Sequence, residues 1–312
     1  MLSFVFTDIY NEKVTVKNPL SMTVNIEQGV PADDMTAVFP YFSANELKDV
    51  VVYKDDKVVF TGVVDEQQSI CSAYGQFKKI AARSMAALLL DNESEPVSYN
   101  NPSSYVIASR HALPFGVKLT DTSVDTYFGV QTVQKGSTNW QAIEDFSKNV
   151  YMTTPRVNER GELSFKGIES EKEVVFSNSS QDGISYTEFT HNIKRCEEIS
   201  RVCIKVTNSC GYHSVVENPD AINRGIDKVR YLNSVLTDTP AVYADNMIKN
   251  SRKKAYVVTL ECPGCHLDVF ANSARITDSI CGEIDSLYVC SVHYTLNHKE
   301  DVTKITLKRK DV

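Results

Sequence analysis

Apolar residues alternate with polar ones over much of both ends of the chain, and a period of two predicts β-strands. Ser21 to Ile26 alternates in this way, and so does Asp34 to Phe39. Asp49 to Lys54 and Lys57 to Val64 are β-branched runs separated only by Asp55 and Asp56, which predicts a tight hairpin. Gln76 to Arg83 reads as another strand running into a helical stretch, Ser84 to Leu90, that ends at Asp91-Asn92. Beyond it the composition turns polar, and Pro96 and Pro102 mark a domain boundary.

The middle of the chain has a different texture. Thr138 followed three residues later by Gln141 is a capping-box pattern, and Trp140, Ile143, Phe146 and Val150 then fall on one helical stripe. Arg156 to Phe165 predicts a hairpin bending at Gly161. Residues 91–185 are therefore expected to form a smaller α+β insert, with Ser177 to Gly183 as a polar connector. Strand patterns resume at Ile199 to Val206, Tyr256 to Leu260, Ala274 to Ile280, Ser286 to Leu296 and Thr303 to Lys308. A helix is predicted over Ala241 to Lys254, within an excursion near 211–255. The chain thus divides into 1–90, 91–185 and 186–312, two strand-rich regions around an insert.

Composition narrows the function classes. With 42% hydrophobic and 23% charged residues over 312 positions, the chain resembles an ordinary globular protein. A formal charge of -7 argues against a surface built to hold nucleic acid. The longest wholly apolar run, Met85 to Leu90, is far short of the ~18 residues that suggest a membrane span. The first residues show no export signal, so a soluble product of the cytosol is expected. Of the eight cysteines, only Cys71 lies outside the stretch from Cys196 to Cys290. In a reducing compartment they are expected to be unbridged, most of them small buried hydrophobes.

One cysteine group could carry chemistry. Cys262-Pro-Gly-Cys265-His266 matches the haem-attachment pentapeptide, but that modification requires export. With Cys290 and His293 it forms a CxxC…CxxH set able to hold zinc in a tetrahedral site. On one strand, however, positions 290 and 293 face opposite sides unless a bulge intervenes. A Pro-Gly turn with core cysteines is the preferred reading. Glu197-Glu198 and Asp55-Asp56 read as solvated turns or strand ends rather than acid/base pairs, and the six histidines are scattered. No phosphate-binding glycine loop, HExxH or nucleophile elbow is present. Catalytic, cofactor-binding and metal-binding residues are therefore expected to be none, and Cys262, Cys265, Cys290 and His293 form the zinc alternative.

The order of segments goes further. Val50 to Asp65, a strand, an acidic turn and a strand ending in Thr-Gly-x-Val-Asp, resembles a stretch near the front of phage tail baseplate hub proteins. Ala82 to Asn92, Arg110 to Val117, Phe128 to Trp140, Gly161 to Phe165 and the closing strands from Ser286 follow in the same order. The resemblance implies a mainly β fold in which two similar tube-like β-barrel domains flank the insert. It further implies a homotrimeric ring whose six similar domains match a six-fold tail tube. Such a ring joins the tube to a three-fold central spike at the tip of a contractile tail, alongside other baseplate proteins. Its role is structural and non-enzymatic, in a virion or a bacteriocin-like particle assembled in the bacterial cytoplasm. It needs no cofactor and no membrane, and DNA at most passes through its channel. The alternatives are a metal-dependent hydrolase using the Cys262/Cys265 region and the hub of a host-encoded contractile secretion system.

Overall fold

The computed structural model describes residues 1–120, 123–167, 172–178, 183–205, 210–233, 240–280 and 282–310. The chain forms two compact units, each drawn from three stretches of sequence. The first comprises residues 1–170, 264–270 and 291–303, and the second residues 171–263, 271–290 and 304–312.

The first unit is built on an antiparallel sheet. Its strands are β1 (Leu2–Asp8), β2 (Lys13–Lys17), β3 (Ser21–Glu27), β4 (Asp34–Pro40), β5 (Leu47–Lys54), β6 (Lys57–Ser72) and β7 (Gly75–Ser84). They lie in the order β2-β1-β5-β6-β7-β4-β3, and β3 then pairs with Ser291–Leu296 of β20 (Gly282–Leu296). The expected alternation is the cause: Met22, Val24 and Ile26 are buried on β3 while their neighbours are not. Phe4, Phe6 and Phe39 are fully buried, with Phe39 set edge-on to Phe4 at 4.9 Å and to Phe6 at 5.8 Å. The β5–β6 hairpin turns on Asp55 and Asp56, both at positive φ (47° and 66°), the backbone that a two-residue type I′ turn demands.

Residues 86–165 pack a further core within this unit, which Ala32 joins. Its elements are α1 (Ala86–Asp91), β8 (Val97–Asn100), α2 (Ser104–His111), β9 (Lys118–Leu119), β10 (Val130–Val133), α3 (Asn139–Tyr151), β11 (Arg156–Val157) and β12 (Glu162–Ser164). The capping box forms in full: the Gln141 amide donates to Thr138 Oγ1, and the Gln141 side chain accepts from the Thr138 amide. That start sets the register in which Trp140, Ile143 and Phe146 all face Ile107, Leu163 and Phe165. Gly161 bends the β11–β12 hairpin at φ 77°.

In the second unit, β14 (Glu188–Ile193), β18 (Tyr256–Pro263), β21 (Asp301–Arg309), β20, β19 (Ser273–Asp278) and β13 (Glu173–Ser177) follow one another across a sheet. Beside it a three-stranded sheet, β16 (Ser214–Glu217), β15 (Arg201–Lys205) and β17 (Val229–Asn233), packs under α5 (Pro240–Ala255). Val202, Ile204 and Leu232 bury against Ala244 and Ile248. The short helix α4 (Pro219–Asn223) follows β16.

Two expectations need correction. The sheets are mainly antiparallel and large, but they are not closed barrels. Closure requires the end strands to bond each other. β2 pairs only with β1 among the described strands, and its exposed Lys13 and Lys17 suit an open edge. The cysteines are also less buried than expected. Cys262 and Cys290 are core residues, whereas Cys71, Cys196 and Cys210 are exposed and Cys203 and Cys265 are half-buried. Strand and loop positions, not thiol hydrophobicity, decide which of them reach the interior. Cys281 and part of the Ser177–Gly183 connector lie outside the described residues.

Candidate assembly surfaces

Two residues of the zinc alternative, Cys290 and His293, lie on opposite faces of β20. Cys262 is buried on β18, and burial pushes its thiol up to about 12, so it stays protonated at neutral pH. Cys265 follows the Pro-Gly turn, where Gly264 has φ 83°, and burial raises its thiol as well. Cys290 is buried on β20 and its Sγ donates to the Thr306 carbonyl at 3.3 Å. The inward positions there are 290, 292 and 294, so His293 points outward, where its Nδ1 contacts Asn25 Oδ1. No group of three or more His, Cys, Asp or Glu side chains is placed to hold a metal among the described residues.

The residues that carried the family resemblance form a structural joint. A Cβ on Gly62 would stand 2.2 Å from the Arg83 carbonyl, so only glycine lets β6 approach β7 there. Three residues on, Asp65 is the extra residue of a β-bulge: Val64 pairs with Ala82 and Glu66 with Ala81. Arg83 Nε and Nη2 donate to the Asp65 carboxylate at 2.7 and 2.9 Å, and Nη1 and Nη2 reach Asp91 at 3.2 and 2.6 Å. The guanidinium thereby ties the bulge to the end of α1 and holds the Asp91 carboxyl below its ordinary range. Beyond the bulge, residues 69–76 are exposed without alternation, forming a two-stranded arm that bears Ile70 and a 92% exposed Tyr74.

A second joint lies at the insert. Arg156 on β11 donates to both carboxylate oxygens of Asp33 and, from Nη1, to the carbonyls of Glu27 and Val30 at 3.1 and 3.0 Å. Its guanidinium lies 4.8 Å over the Phe270 ring. Both charged side chains are buried. Burial, the largest effect, pushes Asp33 up to about 6, while the Arg156 charge pulls it down. Nearby in the insert, His111 is buried with Nδ1 2.9 Å from Asn139 Oδ1 and 3.2 Å from Ser94 Oγ, and Nε2 3.1 Å from the Tyr99 hydroxyl. Burial lowers its pKa, so the neutral ring is favoured; with Asn139 accepting from Nδ1, Nε2 accepts from Tyr99.

The second unit carries a groove of about 430 Å³ lined by Ile193, Glu198, Asp220, Arg224, Arg252, Ala255, Tyr256 and Arg309 among others. Here the sequence reading of Glu197-Glu198 as a solvated pair fails for one member. Glu197 is exposed, but Glu198 is buried, paired with Arg224 and accepting from Asn218 Nδ2 at 3.3 Å. Asp55 and Asp56 are exposed, as expected.

These features are joints and surfaces. No protein-family model matches the chain, and no curated protein sequence does. Solved structures do. The 43 kDa tail protein of prophage MuSo2 from Shewanella oneidensis superposes with a TM-score of 0.79 at 14% identity, covering 99% of this chain and 98% of that one. A tail protein from Neisseria meningitidis MC58 gives 0.73 at 14% identity, covering 98% and 96%. An Escherichia coli component of the type VI secretion system, similar in structure to phage T4 tail proteins gp27 and gp5, gives 0.57 at 7% identity, covering 93% and 73%. The fold is that of phage tail proteins over essentially the whole chain, as the order of segments implied.

Proposed function

We propose that this chain is the structural baseplate hub of a contractile phage tail or tail-like particle. In this reading three copies form a ring that joins the six-fold tail tube to the three-fold spike. The observation that carries it is the end-to-end likeness in fold to two tail proteins, with nearly complete coverage in both directions. In this reading two similar β-rich regions, 1–90 and 186–312, would flank the insert 91–185, and three copies would present six related surfaces to the tube. The exposed β6–β7 arm and the open edge of β2 are the natural contacts for tube, spike and other baseplate proteins. The role is mechanical and non-enzymatic. The site of action is the virion tail or a bacteriocin-like particle, assembled in the bacterial cytoplasm, with DNA at most passing through the channel.

Co-expression with a tail tube protein and a central spike protein, followed by native mass spectrometry and electron microscopy of the particle, tests this reading. A homotrimer seated between tube and spike is expected. A monomer or dimer that engages neither partner would refute it. A second reading, the hub of a host-encoded contractile secretion system, is favoured by the likeness to the type VI component. The same preparation separates the two by whether the chain co-assembles with phage-type or secretion-type tube protein.

A further inference from the structure

The groove of the second unit is built where three elements meet. β14 ends at Ile193, which pairs directly with Tyr256, the first residue of β18. α5 ends at Ala255, immediately before that strand, and Arg309 closes β21. Ile193, Ala255 and Tyr256 give the groove an apolar wall. Its charged groups are not equivalent. Arg224 is neutralised by the buried Glu198, and Arg252 pairs with Asp220 at 3.0 Å. Arg309 pairs with no carboxylate among the described residues; its guanidinium is stacked 4.2 Å over the Tyr256 ring. Stacking uses the face of a guanidinium and leaves the N–H donors on its edge able to bond a carboxylate.

We propose that this groove docks an acidic segment of a partner protein. An Asp or Glu carboxylate would take the edge of Arg309, and an adjacent apolar side chain would lie against Ile193 and Ala255. The charges select this occupant. Three arginines against Glu198 and Asp220 leave one net positive charge, which matches a single carboxylate. A nucleic acid would need a run of free cations and would meet both acidic groups. The apolar wall gives an acidic peptide contact area that a bare inorganic anion would not use. The proposal stands on the groove alone, so the trimer can fail with this binding intact, and the reverse.

Fluorescence anisotropy with the labelled peptide Gly-Leu-Glu-Phe-Glu-Gly tests it on the full chain. Binding is expected to weaken by about tenfold or more, ~1.4 kcal/mol, when both glutamates are replaced by glutamine in the peptide or when the protein carries Arg309→Gln. Arg309→Lys, which keeps the charge but loses the planar fork, should weaken it by a smaller factor. Lys299→Gln, an exposed charge outside the groove, should change nothing. No binding at millimolar peptide, equal binding of the glutamine peptide, or equal binding to Arg309→Gln would overturn the proposal. Loss of self-association on Arg309→Gln would assign the groove to a second copy and overturn it too. The glutamine peptide needs no variant, so the test survives a misfolded mutant.

Discussion

Replacing Arg156 with methionine should be among the most damaging single changes in the first unit. The substitution keeps an unbranched side chain but removes the fork that satisfies both oxygens of Asp33 and two backbone carbonyls. Asp33 is then a buried carboxylate without its counter-charge, and breaking a buried pair by deleting one partner costs about 3–5 kcal/mol. For a folding unit of this size each kcal/mol lowers the melting temperature by roughly 2–4 °C, so a fall of about 6–20 °C is expected. The loss should depend on pH. Asp33 has a folded pKa of about 6, above its unfolded value of 3.8. Its favourable contribution is therefore complete below about 4 and is lost as pH rises through 6. Without Arg156 the folded value rises further, so the variant goes on losing stability above pH 6 where the parent is level. Thermal and urea unfolding followed by circular dichroism at pH 5 and pH 8 should show a wider gap at pH 8. The double variant Arg156→Met, Asp33→Leu should recover most of the loss, because it removes both charges. A gap below about 1 kcal/mol, or one equal at both pH values, would refute this reasoning.

Three further outcomes are expected. Gly62→Ala puts a methyl group against the Arg83 carbonyl and should destabilise by about 1–3 kcal/mol or more, read as a lower urea midpoint with an unchanged m-value. His111 has a folded pKa below its unfolded value of 6.5, so its contribution is present above 6.5 and is lost as pH falls through the folded value; His111→Gln should flatten that acid-side loss in a pH series of melting curves. Chelation with a zinc-selective chelator should leave the melting temperature unchanged, and elemental analysis should find no stoichiometric zinc; a metal-linked melting shift would revive the Cys262, Cys265, Cys290 and His293 site.

Local pattern was legible where local forces decide the outcome. The Asp55-Asp56 turn, the Thr138 capping box and α5 depend on residues a few positions apart, and each lies where the sequence places it. β1 carries the same local signal: Phe4, Phe6 and Asp8 alternate inward within the strand-rich region 1–90. The bulge at Asp65 breaks the period of two, and periodicity hides the very residue that faces Arg83. Long-range pairs leave no local trace. Asp33 meets Arg156 across 123 residues, and Glu198 finds Arg224 across 26, so adjacent acidic letters looked solvated when one of them was not. Barrel closure is a property of which edges meet, and no strand pattern encodes that.

The pairing of β3 with the end of β20 has a consequence for how the molecule is made. Asn25 and His293 face each other across 268 residues of chain. A nascent chain emerging from the ribosome can assemble β1 to β7 long before their last neighbour exists. During that interval the row of backbone amides and carbonyls on the outer side of β3 has no partner, and such an edge invites strands from other chains. Synthesis therefore passes through a vulnerable stage that ends only when residues 291–296 have been translated and docked. The slow, non-local step is the last to occur, so the yield of native protein should respond to translation speed and chaperone supply more than to the stability of the finished fold.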